Sequence, residues 1–329
     1  MNANPTHERT RVLPAGSKAV AAAKTVLLDG RTVAIPTETV YGLAADATNG
    51  EAVARIFESK QRPSFNPLIC HVSDIAMAET FAVFDPLSRK LAEHFWPGAL
   101  TLVLPLKEGH AIHPLVTAGL DTVAVRAPRG FGAELIEAMG KPLAAPSANR
   151  SGRISPTSAQ AVRESLGNSV PLVIDGGLTQ VGVESTIVKV EDGAIRLLRP
   201  GGIAAEEIET VTGQNLDRAG STAAIQAPGM LSSHYAPNAA MRLNATEVMP
   251  GEALLGFGRE RIPGANRARA VLVLSETGNT VEAAARLFDY MSRLDASGAT
   301  CIAVEPIPME GLGEAINDRL ARAAAPREG

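Results

Sequence analysis

Residues 36–43 read Pro36-Thr37-Glu38-Thr39-Val40-Tyr41-Gly42-Leu43, directly after the apolar run Val33-Ala34-Ile35. The run has the character of a buried strand. The residues after it place hydroxyls, a carboxylate and a glycine where core residues would continue. Polar groups at the end of a buried strand need partners, so this is where a strand opens into a ligand site. Outward from here, short apolar runs of strand character alternate with helix-like segments. Strands are expected at 32–35, 68–72, 100–104, 122–126, 143–145, 172–174, 186–190 and 195–198. Helices are expected at 50–59, 86–95, 133–139, 158–166 and 204–210. That alternation predicts an α/β protein.

The chain has 329 residues, enough for two domains. Hydrophobic residues make up 45% and charged residues 20%, which fits a soluble globular protein. The formal net charge of −4 advertises no broad nucleic-acid surface, though a local basic groove is compatible with it. The two cysteines, Cys70 and Cys301, build neither a disulfide framework nor a metal motif, which fits a reducing cytosol. No apolar run reaches the length of a membrane span, and a cytoplasmic protein is expected. Residues 1–14 read as a flexible tail, 15–212 as a first domain and 213–238 as a linker. Residues 239–329 read as a small Rossmann-like α/β domain, with strands at 253–257, 271–274 and 301–304 and a helix at 313–324. A second helix, at 280–294, would turn Ala284, Leu287, Phe288, Met291 and Leu294 to one face. No G-x-G-x-x-G turn follows its first strand, so no dinucleotide site is expected there.

Several polar clusters punctuate the first domain. Lys60-Gln61-Arg62-Pro63, with Asn66-Pro67 after it, suits an anion such as a triphosphate, or else a solvated helix C-terminus. Pro146-Ser147-Ala148-Asn149, continuing to Ser151-Gly152 and Ser155-Pro156-Thr157, offers backbone N–H groups to phosphate, or caps a helix. Thr122-Val123-Ala124-Val125-Arg126 ends an apolar strand on an arginine, which needs either a substrate carboxylate or an internal Asp or Glu. Gly182-Val183-Glu184-Ser185-Thr186 and Leu198-Arg199-Pro200-Gly201 also set polar side chains at strand boundaries. His71, inside an apolar strand, has the signature of a satisfied core histidine. The linker carries a patterned island, Ala227-Pro228-Gly229-Met230 and Ser233-His234-Tyr235-Ala236-Pro237. There is no P-loop, no nucleophile elbow and no metal-ligand cluster. Catalysis by positioning and charge neutralisation is therefore expected.

Taken in order, these pieces, together with Trp96-Pro97-Gly98, resemble the threonylcarbamoyl-AMP synthases, the YrdC-like domain family. The match covers roughly residues 15–212, and the linker island looks like the long, two-domain subclass. Ala44 stands where many relatives have Gly. The resemblance implies a twisted mixed sheet enclosing a large cavity. It also implies a nucleotidyltransferase that converts L-threonine, bicarbonate and ATP, with Mg2+, to threonylcarbamoyl-AMP and pyrophosphate. The product would feed threonylcarbamoyladenosine formation on tRNA through a downstream transferase complex. Carried over by motif, the resemblance implies that Thr39, His71, Arg126, the backbone of Ala145 and Ser185 surround threonine. Arg62, Asn66, Thr122, Ser147, Ser155 and Arg199 would surround ATP, with Lys60 near the phosphates and Tyr235 covering the nucleotide. Lys60 and Arg62 would be the catalytic pair. Two other readings compete with it. Carbamoyl transfer of the hydrogenase-maturation type would need zinc fingers that two cysteines cannot build. A non-catalytic RNA-binding module is at odds with the net negative charge.

Overall fold

The computed structural model describes residues 9–218, 227–228 and 233–326. In the first domain the strands are β1 (Arg11–Pro14), β2 (Val33–Ile35), β3 (Gly42–Asp46), β4 (Ile69–His71), β5 (Leu100–Pro105), β6 (Thr122–Arg126), β7 (Leu143–Ala144), β8 (Leu172–Asp175), β9 (Thr186–Glu191), β10 (Ala194–Arg199) and β11 (Asp217–Arg218). The helices are α1 (Ser17–Leu28), α2 (Gly50–Lys60), α3 (Ile75–Ala78), α4 (Pro86–Phe95), α5 (Pro114–Thr117), α6 (Phe131–Met139), α7 (Ala159–Leu166) and α8 (Ala205–Thr212). The strands join in one mixed sheet, in the order β1-β8-β2-β3-β7-β4-β6-β5-β9-β10-β11. Strands β2, β3 and β4 are buried along their whole length, so they show no alternation, β3 and β4 running apolar until they end on Asp46 and His71.

The stretch 36–41 is the connection between antiparallel β2 and β3, whose register pairs Val33 with Ala44 and Ile35 with Gly42. Tyr41 is fully buried. Its hydroxyl donates to the Gly177 carbonyl (2.8 Å) and accepts the Gly176 amide (3.0 Å), which fixes the turn. The expected tail at 1–14 is corrected over its last four residues. Arg11–Pro14 pair in parallel with β8, in register from Arg11↔Leu172 to Pro14↔Asp175. Residues 1–8 lie outside the described residues. The expected linker also begins differently, since Asp217–Arg218 add a parallel edge strand to β10.

The second domain holds β12 (Ala240–Arg242), β13 (Ala253–Gly256), β14 (Val271–Val273) and β15 (Cys301–Val304), with helices α9 (Thr280–Ala296) and α10 (Gly313–Ala324). Its sheet is parallel throughout, in the order β12-β15-β13-β14. The stripe expected on α9 is buried as read, from Ala284 to Leu294. It does not pack on its own sheet alone. Val40, Val183, Ala204 and Tyr235 belong to the same apolar cluster as Leu287, Phe288, Ile316 and Leu320, so the two domains share a core.

Candidate functional site

The polar strand ends converge on one cavity, lined by Thr39, Arg62, His71, Arg126, Ala145, Ser147, Glu184, Ser185, Arg199, His234 and Tyr235. The parallel pairing of β4 with β6 sets His71 beside Arg126. Arg126 is 3% exposed. Its Nε donates to the Gly98 carbonyl (3.0 Å) and its Nη1 to the Thr39 hydroxyl (2.8 Å). Its Nη2 lies 2.7 Å from Glu38 Oε1, without hydrogen-bond alignment. The internal carboxylate and a donor face open to a ligand are thus both present.

His71 Nδ1 lies 3.3 Å from the Ile69 carbonyl. A carbonyl only accepts, so Nδ1 carries the proton and Nε2 keeps its lone pair. Burial, and then the charge of Arg126, push this imidazole down to about 3, with the Ile69 bond opposing. It is a neutral acceptor. Ser185 shares a 2.7 Å hydroxyl contact with Thr101. Arg199 donates to the Ser185 carbonyl through Nη2 (2.8 Å) and to the Pro228 carbonyl through Nη1 (3.1 Å).

On the other side, α2 ends at Gln61 in the left-handed conformation (φ +52°). This returns the chain so that Arg62 N bonds the Phe57 carbonyl (3.0 Å), and Lys60 and Arg62 both turn inward. A solvated helix end is thereby excluded. Lys60 Nζ donates to the Ser147 carbonyl (2.5 Å) and the Asn149 carbonyl (2.6 Å). Burial, then Arg62, lower its pKa well below the ordinary lysine value, while Glu184 opposes. The Ser147 loop was expected to offer amides. Instead the Ala148 and Ser151 amides bond the Tyr41 and Lys60 carbonyls (2.8 Å each), and the loop cages the ammonium. Arg62 Nη2 donates to the Pro67 carbonyl (2.9 Å), and burial pulls its pKa down to about 10. The Asn66 side-chain amide, 1% exposed, has neither its oxygen nor its nitrogen paired. The Asn66 backbone carbonyl accepts from Arg62 Nε (3.3 Å), so the orphaned amide sits just behind the cationic wall rather than in the lining itself.

Three functional groups were given no role in the sequence reading, although Glu184 and His234 stood in segments it singled out. Glu184 accepts the Ser155 hydroxyl on Oε1 (2.5 Å) and Arg319 Nε on Oε2 (2.8 Å). Burial would raise its pKa, but Arg319, Arg199 and the Ser155 bond hold it at about 2. His234 lines the cavity, and Arg319 reaches the lining residue Glu184 from the second domain. The carboxylate in Val183-Glu184-Ser185 was visible as a buried-strand charge, and Arg319 as a cation on the apolar face of a helix. Lys60, Asn66 and Ser155 are not among the residues lining the cavity, Ser155 facing the groove between the domains instead, and Thr122 is not brought to the cavity either. It starts β6 opposite Pro105, at the far end of the strand from Arg126.

The space inside is about 50 Å³, below what a nucleotide occupies, and Tyr235 and Pro228 form part of its wall. A larger groove of about 820 Å³ runs between the domains past Arg153, Asn238 and Asp295. It is open, and its polar groups bond one another, as in Arg153 to Asn238 (2.8 Å) and Asn238 to Asp295 (2.9 Å). The enclosed cationic cavity is the site with convergent chemistry.

The sequence and the fold have known relatives. Residues 25–201 match the Sua5–YciO–YrdC family model, whose description reads "Telomere recombination". Residues 203–325 match the C-terminal domain of threonylcarbamoyl-AMP synthase. The chain is 41% identical over 324 residues to the threonylcarbamoyl-AMP synthase of Bacillus subtilis, covering 94% of this chain and 93% of that protein. It is 41% identical over 317 residues to the Pyrococcus abyssi enzyme of the same name, covering 91% and 92%. The crystal structure of P. abyssi Sua5 complexed with L-threonine superposes with a TM-score of 0.87 at 36% identity, over 96% of this chain and 98% of that one.

Proposed function

This chain belongs to the Sua5–YciO–YrdC family and carries both domains of its threonylcarbamoyl-AMP synthases, and from that premise we propose that it makes threonylcarbamoyl-AMP from L-threonine, bicarbonate and ATP. One observation carries the reading. The donor set that suits a small amino acid (Thr39, His71, Arg126, Ser185) and two cations that suit a triphosphate (Arg62, Arg199) open into a single cavity, with Lys60 bonded behind them to the carbonyl of the lining residue Ser147.

Arg126 holds the threonine carboxylate through the donors that Glu38 leaves misaligned, with the Thr39 hydroxyl and the Ala145 backbone alongside. The lone pair on His71 Nε2 accepts from the substrate's ammonium or hydroxyl. Once the amine has captured carbon dioxide or bicarbonate, the carbamate oxygen attacks the α-phosphorus of ATP. The bond to the β-phosphate oxygen breaks and pyrophosphate leaves. Lys60, Arg62 and Arg199 offset the charge that grows on the leaving group, and Asn66 and Ser155 hold the nucleotide. Among the described residues no cluster of three or more His, Cys, Asp or Glu could hold a metal. Magnesium in this reading is part of the substrate, arriving with ATP.

The mixed anhydride is water-labile, so a closed site suits it. Tyr235 and Pro228 wall the cavity, so they must move aside to admit ATP and then close over it. The product passes to a transferase acting on tRNA, which assigns the work to the cytoplasm. Among the described residues no helix is long and apolar enough to cross a membrane. The test is incubation with threonine, bicarbonate and Mg·ATP labelled at the α-phosphate. Labelled threonylcarbamoyl-AMP and threonine-dependent pyrophosphate are expected; pyrophosphate release indifferent to threonine overturns the reading.

A further inference from the structure

Among the described residues Arg319 is the largest side chain with no exposure at all. It sits on the buried face of α10 with Ile316, Leu320 and Ala323, where an apolar residue would serve packing better. A charge in such a place is unfavourable unless its donors are matched. Here each guanidinium nitrogen is matched, and two of the partners lie in the first domain. Nε donates to Glu184 Oε2 (2.8 Å), Nη2 to the Pro200 carbonyl (3.0 Å), and Nη1 to Asp318 Oδ2 (2.6 Å). Glu184 and Pro200 are the immediate neighbours of Ser185 and Arg199, which line the cavity.

The guanidinium also lies over the Tyr235 ring, 5.1 Å from its centroid. Phe288 of α9 stacks on the same ring at 5.4 Å. Tyr235 itself is held at φ +63°, a region that side-chain-bearing residues enter at a cost, so its surroundings must fix it. The approach of the two domains is close elsewhere too. A Cβ at Gly182 would lie 2.4 Å from the Ala284 carbonyl and Ala285 Cα of α9.

We propose that Arg319 is a positioning residue for the adenylation site, through which the C-terminal domain fixes Glu184 and clamps Tyr235 in its closed position. Its effect on ATP rests on the function proposed above. The hold on Tyr235 does not, and it is measured separately.

The experiment uses the full chain with Arg319→Met and Arg319→Lys. Amide hydrogen exchange is followed at Ala236, whose N–H bonds the Gly152 carbonyl (2.9 Å), and in strands β13 and β15. In Arg319→Met, exchange at Ala236 should rise by about tenfold or more while β13 and β15 exchange as in the parent. The KM for ATP should rise by about tenfold with the threonine Kd changed less than about twofold, since Arg319 touches neither the Arg126 nor the His71 side. Arg319→Lys keeps the charge beside Glu184 but loses the planar fork, so its effects should be intermediate. Unchanged exchange at Ala236 overturns the proposal. So does a uniform acceleration that includes β13 and β15, which would make Arg319 a stability residue only. Should Arg319→Met fail to fold, Arg319→Lys decides by the same comparison. If the parent shows no threonine-dependent pyrophosphate release, the functional reading fails, and the exchange data still decide whether Arg319 holds Tyr235.

Discussion

Glu38 and Arg126 meet at 2.7 Å inside the cavity wall, but their charges touch without an aligned hydrogen bond. Glu38 is meanwhile anchored by the Arg129 amide on its other oxygen (3.1 Å). The carboxylate therefore balances the guanidinium without saturating it. Arg126→Ala should lower threonine affinity by about 30- to 100-fold, the size of a lost charge-assisted hydrogen-bonded pair. ATP affinity should stay within about threefold, because Arg62, Lys60 and Asn66 are untouched. Calorimetry with each ligand alone checks this, and normal threonine affinity in the variant would remove Arg126 from the threonine site.

The close approach at Gly182 gives a second expectation. Its φ is +76°, and an added Cβ would run into the backbone of α9. Gly193, in the β9–β10 turn, has φ +78° with nothing within 4 Å of the same position. Gly193→Ala should therefore lose only the backbone term, about 1 kcal/mol. Gly182→Ala should lose distinctly more, because a helix backbone cannot give way as a side-chain tip can. Equal melting temperatures for the two variants would mean that the domains are not docked as described.

Much of the site could be read from the chain because its residues break local rules: an arginine closing the apolar strand 122–126, hydroxyls after Val33-Ala34-Ile35, two cations around a turn. The elements that escaped reading lack such local marks. Helix α1 has Gly16 at its N-cap and so no side-chain cap, and nothing announces it. Strand β3 reads Gly-Leu-Ala-Ala-Asp, without a β-branched residue, and is a strand because β2 and β7 flank it. Strand β1 depends on β8, which lies far along the chain. Arg319 was visible as a cation in an apolar stripe, but its partner Glu184 lies 135 residues distant, and no local pattern could join them.

Tyr235 offers a test of closure that is independent of Arg319. Tyr235→Phe keeps the ring that stacks on Phe288 and lies under Arg319, whereas Tyr235→Ala removes it. If the ring closes the site, Tyr235→Ala should raise the KM for ATP by about tenfold or more and release more hydrolysed product per pyrophosphate. Tyr235→Phe should stay within a few-fold of the parent. Steady-state kinetics with product analysis checks both, and equal behaviour of the two variants would assign the effect to the hydroxyl rather than to closure.

The buried histidines set an acid limit. Burial pushes both His71 and His234 down to about 3 from an ordinary 6.5. The unfolded chain binds these protons near pH 6.5 and the folded chain does not until near pH 3, so between those values the unfolded state binds more. The stability tied to the neutral rings is therefore complete above about pH 6.5 and declines as the pH falls toward 3, by up to about 1.4 kcal/mol per pH unit for each ring. Glu184, held at about 2 against an ordinary 4.5, adds its own loss only below about pH 4.5. Urea unfolding between about pH 7 and pH 5 thus isolates the histidines. The parent should lose stability across that range, and His234→Gln, which cannot take up a proton, should lose less. Parallel pH slopes for parent and variant would mean that His234 takes up its proton as readily in the folded as in the unfolded chain, which burial and the cations Arg62, Lys60 and Arg319 oppose against the pull of Glu184.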